Sequence, residues 1–254
     1  MFRKYTVLAL SLLFAMPVQC EEGPKKLDEV KEKWIKWADS AVLAERDAFL
    51  KRYGLDGSNL RFDDKLVEMI RSSIDQGVFL EDALINSSEE ITLGPVKTVA
   101  AEVFKKCDVR VMHNPDLEVQ QVGVAKHYDS NMCYVVLNCE KHLGNLSQLQ
   151  EVLRHEYSHV LNDDNLNEGL IQYAAWANST VEREKVEEQT LPYHRAFETR
   201  ADVYAAVNSP HHGKHLIDFF GATSKGSQVI THPADSERIA LLEKIKLELD
   251  AAKE

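Results

Sequence analysis

Beyond its first twenty residues the chain has no apolar run long enough to cross a bilayer as a helix, which takes about 20 consecutive apolar residues. It also lacks a basic stripe. Its 30 Lys and Arg stand against 41 Asp and Glu, a formal net charge of −11. Such a surface repels phosphate backbones and anionic headgroups, which argues against nucleic acid or an anionic membrane as partner. Cysteine is scarce, with four in 254 residues. Their spacing fits neither a zinc knuckle nor a redox C-x-x-C. Internal repeats and low-complexity tracts are absent too.

What is present begins with "MFRKYT", a short basic start, followed by "VLALSLLFAM" and the exit "PVQC". A charged start, a short apolar core and small residues before a polar stretch form the pattern of a cleaved secretory signal over residues 1–20. Periplasmic or secreted localisation is the expectation. Lipid anchoring at Cys20 fits less well, because Pro17-Val18-Gln19 makes a poor lipoprotein box. Loss of Arg3 and Lys4 with the leader takes the net charge from −11 to −13. Cys107, Cys133 and Cys139 remain, and an oxidising compartment would allow one pair among them to close.

In Lys25 to Tyr53 the residues Leu27, Val30, Trp34, Trp37, Ala41, Ala44 and Ala48 recur every three or four positions, which predicts a long amphipathic helix. Three of those seven are small alanines, so the helix is expected to pack on its own domain. Further helices are expected over about 63–84 and 94–106. "DVRVMH", "QVGVAKH" and "CYVVLN" then alternate as strands around the turn "YDSNM". Helical period returns at Leu146, with Asn145 or Ser147 as cap. It continues to the end, with breaks expected at "TLPYH", "NSPHHGKH" and "GATSKGSQVITHP". The expected fold is α+β, mostly helical, with a small antiparallel sheet before the helix of residue 155.

That helix contains "RHEYSHV", with His155, Glu156 and His159 in the order H-E-x-x-H. Residues four apart on a helix project from one face, so two imidazoles there suit one zinc ion. Glu156 lies 100° further round, where a carboxylate serves as base toward a water at the ion. A third protein ligand is then needed. A third histidine six residues on is absent, since position 165 is asparagine. Glu168 follows His159 by nine residues. Glu198 lies on a later helix with Asp202 one turn on, so the first carboxylate suits a metal and the second suits the far N–H of a ligand histidine.

Together "HEYSHVLNDDNLNEGLIQ", "FETRADVYAA" and "THPADSERIALL" resemble the HtpX and CAAX prenyl protease type of zinc endopeptidase, metallopeptidase family 48 of the gluzincins. The resemblance spans roughly residues 105–245. It implies a zincin-like catalytic domain over 105–254 with a helical region, 21–104, packed on it. It also implies one Zn²⁺ on His155, His159 and Glu198, with Glu156 as base and Asp202 behind a ligand histidine. His232 and Arg238 match the third motif, near the cleft. Polypeptides of the cell envelope, unfolded or misassembled, are the implied substrates, and "QVGVAKH" or "CYVVLN" the edge that pairs with them. Two features depart from the family: no membrane helix follows the leader, and only 39 positions separate His159 from Glu198.

Other polar groups carry weaker signals. His211, His212 and His215 could hold a second metal but read better as loop residues. Tyr193 and His194 could donate to an oxyanion but read better as helix-start or core residues. Tyr157 and Ser158 read as packing residues. Asn86, Asn145 and Asn178 begin N-x-S/T triplets.

Overall fold

The computed structural model describes residues 27–80, 87–119, 121–223 and 232–253. The expected leader, Cys20 included, and Asn86 lie outside these residues. None of the described helices is long and apolar enough to cross a membrane.

Helix α1 (Leu27–Arg52) opens with Asp28 and Glu29 and closes with Lys51 and Arg52, matching the helix dipole at both ends. Val30, Trp34, Ala38, Val42 and Phe49 form its buried stripe. This stripe lies along α7 (Arg183–Asn208). Trp34, 1% exposed, also donates from Nε1 to Glu248 at 3.1 Å, tying α1 to the last helix, α9 (Asp235–Ala251). Burying a side chain of that size contributes about 3 kcal/mol or somewhat less. Helix α2 (Asp64–Leu80) leans on α6 (Asp164–Ala177) and on the sheet.

The sheet contains β1 (Glu89–Ile91), β2 (Asp108–His113), β3 (Gly123–His127) and β4 (Met132–Leu137) in the order β1-β2-β4-β3. It is mixed, which corrects the expected antiparallel arrangement. β3 and β4 form an antiparallel hairpin through the turn at Asn131, whose φ is 51°. β4 inserts beside β2, and that pair is parallel. Alternation and turn residues specify the hairpin; which of its strands meets β2 is decided by packing on α3 (Pro95–Val103) and α5 (Leu146–Leu161). "CYVVLN" is therefore an interior strand, and β3 is an edge.

Two short elements escaped the sequence pattern, β1 and α4 (Cys139–His142), the latter capped by Asn138. Asn145 caps α5, accepting from the Gln148 amide at 3.1 Å. The chain breaks at Ser209–Gly213 as expected, before α8 (Lys214–Thr223). At "TLPYH" it does not break: Pro192 lies inside α7. A proline costs a helix about 3 kcal/mol. Val186 and Thr190 before it and Tyr193, Ala196 and Phe197 after it are all buried, which outweighs that cost. Tyr193 and His194 are thus mid-helix residues.

Cys107 and Cys133 form a disulfide, leaving Cys139 as a free thiol. It joins the chain before β2 to β4 across a separation of 26 residues. Loop-closure entropy for that length corresponds to about 3.5 kcal/mol. Replacing both cysteines by serine should lower Tm by several degrees, read by calorimetry against the wild type under oxidising conditions. An unchanged Tm would show that the bridge restricts nothing in the unfolded chain.

Candidate metal centre

α5 and α7 pack side by side, and Ala201, Ala205 and Ala206, all buried, keep α7 thin on its inner face. From α5 project His155 and His159; from α7 project Glu198 and, one turn on, Asp202. His155 Nε2 lies 3.3 Å from His159 Nε2 and 3.2 Å from Glu198 Oε2, while His159 Nε2 is 3.5 Å from Glu198 Oε1. Ligands about 2.0–2.1 Å from a tetrahedral zinc ion stand about 3.3–3.4 Å from one another. The three donors already hold nearly that spacing. Among the described residues they are the one group of three or more converging metal-binding side chains.

The far side of each imidazole is fixed. His155 Nδ1 meets Asp202 Oδ1 at 2.9 Å, and His159 Nδ1 meets Asp164 Oδ2 at 2.9 Å. With Nδ1–H given to a carboxylate, each Nε2 presents a lone pair to the centre. Two lone pairs and a carboxylate at contact distance repel unless a cation stands among them. Glu198 Oε2 is moreover buried among imidazole nitrogens, with His155 Nε2 at 3.2 Å and His232 Nε2 at 3.1 Å. An anionic oxygen in such a place is costly to bury, and a metal ion offsets that cost. The donor set fits a divalent ion such as zinc.

Both orienting aspartates are neutralised by arginine. Arg238 is 6% exposed and grips Asp202 with two hydrogen bonds of 2.7 Å, its guanidinium stacked over Phe220. It reaches Glu198 only at 3.9 Å. Arg200, on α7 itself, donates one hydrogen bond to Asp164 Oδ1. Asp164 and Arg200 were missing from the sequence reading. Asp164 returns to His159 because α5 ends at Leu161 and Asp163 takes a left-handed φ of 50°, turning the chain into α6. The "DD" after a helix end was the available signal.

Burial works against charge on these groups, and the neighbours override it. Asp202 and Arg238 favour each other's charged forms, so the Asp202 carboxyl stays below its ordinary range. Glu198 is likewise held low despite burial, by His155 and His232. His155, although buried, is pushed up to about 10 by Asp202 and Glu198. In the metal-free protein a proton on His155 thus does part of the cation's work.

The remaining candidates sit as follows. Glu156 is half-buried on α5, with no hydrogen bond or ion pair to a described residue. His232 places Nε2 3.1 Å from Glu198 Oε2. Glu168 stands outside the converging group: its Oε2 takes His194 Nδ1 at 2.9 Å and its Oε1 accepts from Gln172. That contact, with burial opposing, raises the His194 pKa. Tyr157 packs on Phe104 and accepts from the Lys106 amide, and Ser158 is fully buried. His212 is buried against Asp250, while His211 and His215 stack edge to face with no third ligand among the described residues.

Residues 132–246 match the model of Peptidase family M48. No curated protein and no solved structure matches the chain.

Asp164→Asn and Asp202→Asn should each weaken metal binding about 10- to 100-fold, as loss of such orienting partners does elsewhere. Competition with a chromophoric chelator measures it, and unchanged affinity in both variants would remove the aspartates from the site. A second expectation concerns pH. A folded-state pKa near 10, raised from 6.5, contributes stability that is full below the unfolded value and lost as pH rises through about 10. Tm of the metal-free protein should therefore fall between pH 7 and 10, and metal loading should flatten that fall by displacing the proton.

Proposed function

We propose, from the match of residues 132–246 to the model of Peptidase family M48, a zinc-dependent endopeptidase that cleaves unfolded or misassembled envelope polypeptides. The observation carrying the proposal is the convergence of His155, His159 and Glu198 on one point. These three residues would hold the ion. Bound there, zinc would polarise the scissile carbonyl and ease ionisation of water.

The rest of the chemistry belongs to the side chains. Glu156 removes one proton from water as the water oxygen attacks the carbonyl carbon, then delivers that proton to the nitrogen of the breaking C–N bond. Asp202 and Asp164 hold the ligand imidazoles in the productive tautomer. Arg238 positions Asp202, and His232 borders the reacting atoms beside Glu198. Edge strand β3 offers backbone donors and acceptors to an extended substrate with little sequence preference. In domain terms, residues 105–254 form the catalytic unit and 21–104 brace it.

The substrate class rests on the family resemblance, and the compartment on the leader pattern. The Cys107–Cys133 bridge supports export, since such bridges persist in oxidising compartments. A second reading is a latent or chaperone-like zincin, favoured by the approach of His232 to Glu198. An aminopeptidase using Glu168 as third ligand is disfavoured by the commitment of that carboxylate to His194 and Gln172.

Purified protein should digest reduced, alkylated casein, lose that activity to a chelator and regain it with Zn²⁺. Glu156→Gln should keep the metal and lose about 10³-fold in kcat, within the range for a general base. If wild type and Glu156→Gln digest casein alike, the latent or binding reading replaces the peptidase.

A further inference from the structure

α7 carries a third imidazole in the posture of the two that face the metal. His194 stands one turn before Glu198, so the two side chains share a face. Its Nδ1 is 2.9 Å from Glu168 Oε2, and its Nε2 is 3.7 Å from Glu198 Oε1, beyond hydrogen-bond reach. Glu168 is itself anchored: Gln172 donates to its other oxygen at 3.2 Å and to Thr190 at 3.0 Å. Three carboxylates, Asp202, Asp164 and Glu168, thus take the Nδ1 of His155, His159 and His194. Each turns an Nε2 toward Glu198.

The three histidines differ in what Nε2 meets. Those of His155 and His159 converge with Glu198 as ligands, and His194 lies outside that group. The His194 side chain is 27% exposed against 8% for His155, and its Nε2 has no hydrogen bond to a described residue. A histidine kept only for packing would not need a carboxylate braced by a glutamine to fix its ring angle. A ring aimed this firmly, with its outer nitrogen open beside the ligands, suits a group that touches substrate.

We propose that His194 is a further catalytic residue, hydrogen-bonding through Nε2 to the oxygen of the scissile carbonyl, with Glu168 as the positioning residue that aims it. The inference rests on the metallopeptidase reading above. In its doubly protonated form the ring gives Nδ1–H to Glu168 and Nε2–H to that oxygen as negative charge grows there. The proton is shared and not transferred, so the proton path through Glu156 is unaltered.

The test compares wild type, His194→Ala and Glu168→Gln, each loaded with zinc. Metal content by mass spectrometry should stay at the wild-type ratio in all three. His194→Ala should lower kcat on a fluorogenic peptide about 10²-fold with little change in KM, the loss typical of one oxyanion donor. Glu168→Gln should fall between the two. Affinity for a phosphinic peptide, whose tetrahedral anion mimics the transition state, should fall in parallel with kcat/KM. In unsubstituted protein labelled at histidine nitrogens, that inhibitor should shift the His194 Nε2 resonance, a readout independent of how the variants fold. Loss of metal in His194→Ala, or unchanged kcat with an unmoved resonance, overturns the inference alone. A wild type that neither binds zinc nor cleaves casein overturns the parent reading as well.

Discussion

The centre depends on one constraint: two imidazole lone pairs and a carboxylate must stay within about 3.5 Å of one another in a space largely closed to water. Left alone, these groups repel or take up a proton. The protein answers with matched devices on both sides. Asp202 with Arg238, and Asp164 with Arg200, are buried acid–base pairs whose charges cancel. Each still offers a carboxylate oxygen to one ligand ring. Glu198 keeps its negative charge for the cation at the centre, because the nearest arginine nitrogen is 3.9 Å away and committed elsewhere. Desolvation of the aspartates is tolerable only because their partners are in place. Breaking either pair would strand a buried charge, not merely loosen a contact.

Much of the fold can be understood as support for that arrangement. α7 reaches the ligand helix closely because its inner face is alanine, and its outer face is covered by α1. Trp34 links α1 to α9 through Glu248, so the helix that delivers Arg238 is held from the N-terminal side of the chain. Pro192 inside α7 has a consequence beyond local geometry. His194, Glu198 and Asp202 share a face because the stretch after the proline is helical from its first residues. Only a non-helical stretch reaching His194 itself would leave Glu198 and Asp202 in phase and free His194 from them.

The metal-facing residues were legible because their spacing is a helical property. H-E-x-x-H and E-x-x-x-D each declare a shared face whatever surrounds them. The partners were harder to see for physical reasons. Asp164 depends on a single left-handed residue that folds α6 back onto His159, and such a turn leaves no periodicity. Arg200 lies two positions from Glu198 on a different flank of α7, so its link to Asp164 exists only once α6 and α7 have packed. The bond between Glu168 and His194 likewise needs an α6–α7 pairing that no local pattern encodes. The parallel β2–β4 pair and the choice of Cys133 over Cys139 follow from how the hairpin inserts, which is again a long-range outcome.

The contacts also give the centre a direction. Lys126 on β3 pairs with Asp163, the residue before the Asp164 that orients His159. The edge strand is therefore fastened to the α5–α6 corner, on the flank of His159. His159 and His194, with side chains 21% and 27% exposed, both approach Glu198 Oε1; His155 and Arg238, at 8% and 7%, approach Oε2. Of the described groups on the Oε2 flank, His232 alone is comparably exposed, at 37%. The edge strand is thus fastened on the Oε1 flank, while the doubly bonded Arg238–Asp202 pair holds the Oε2 flank.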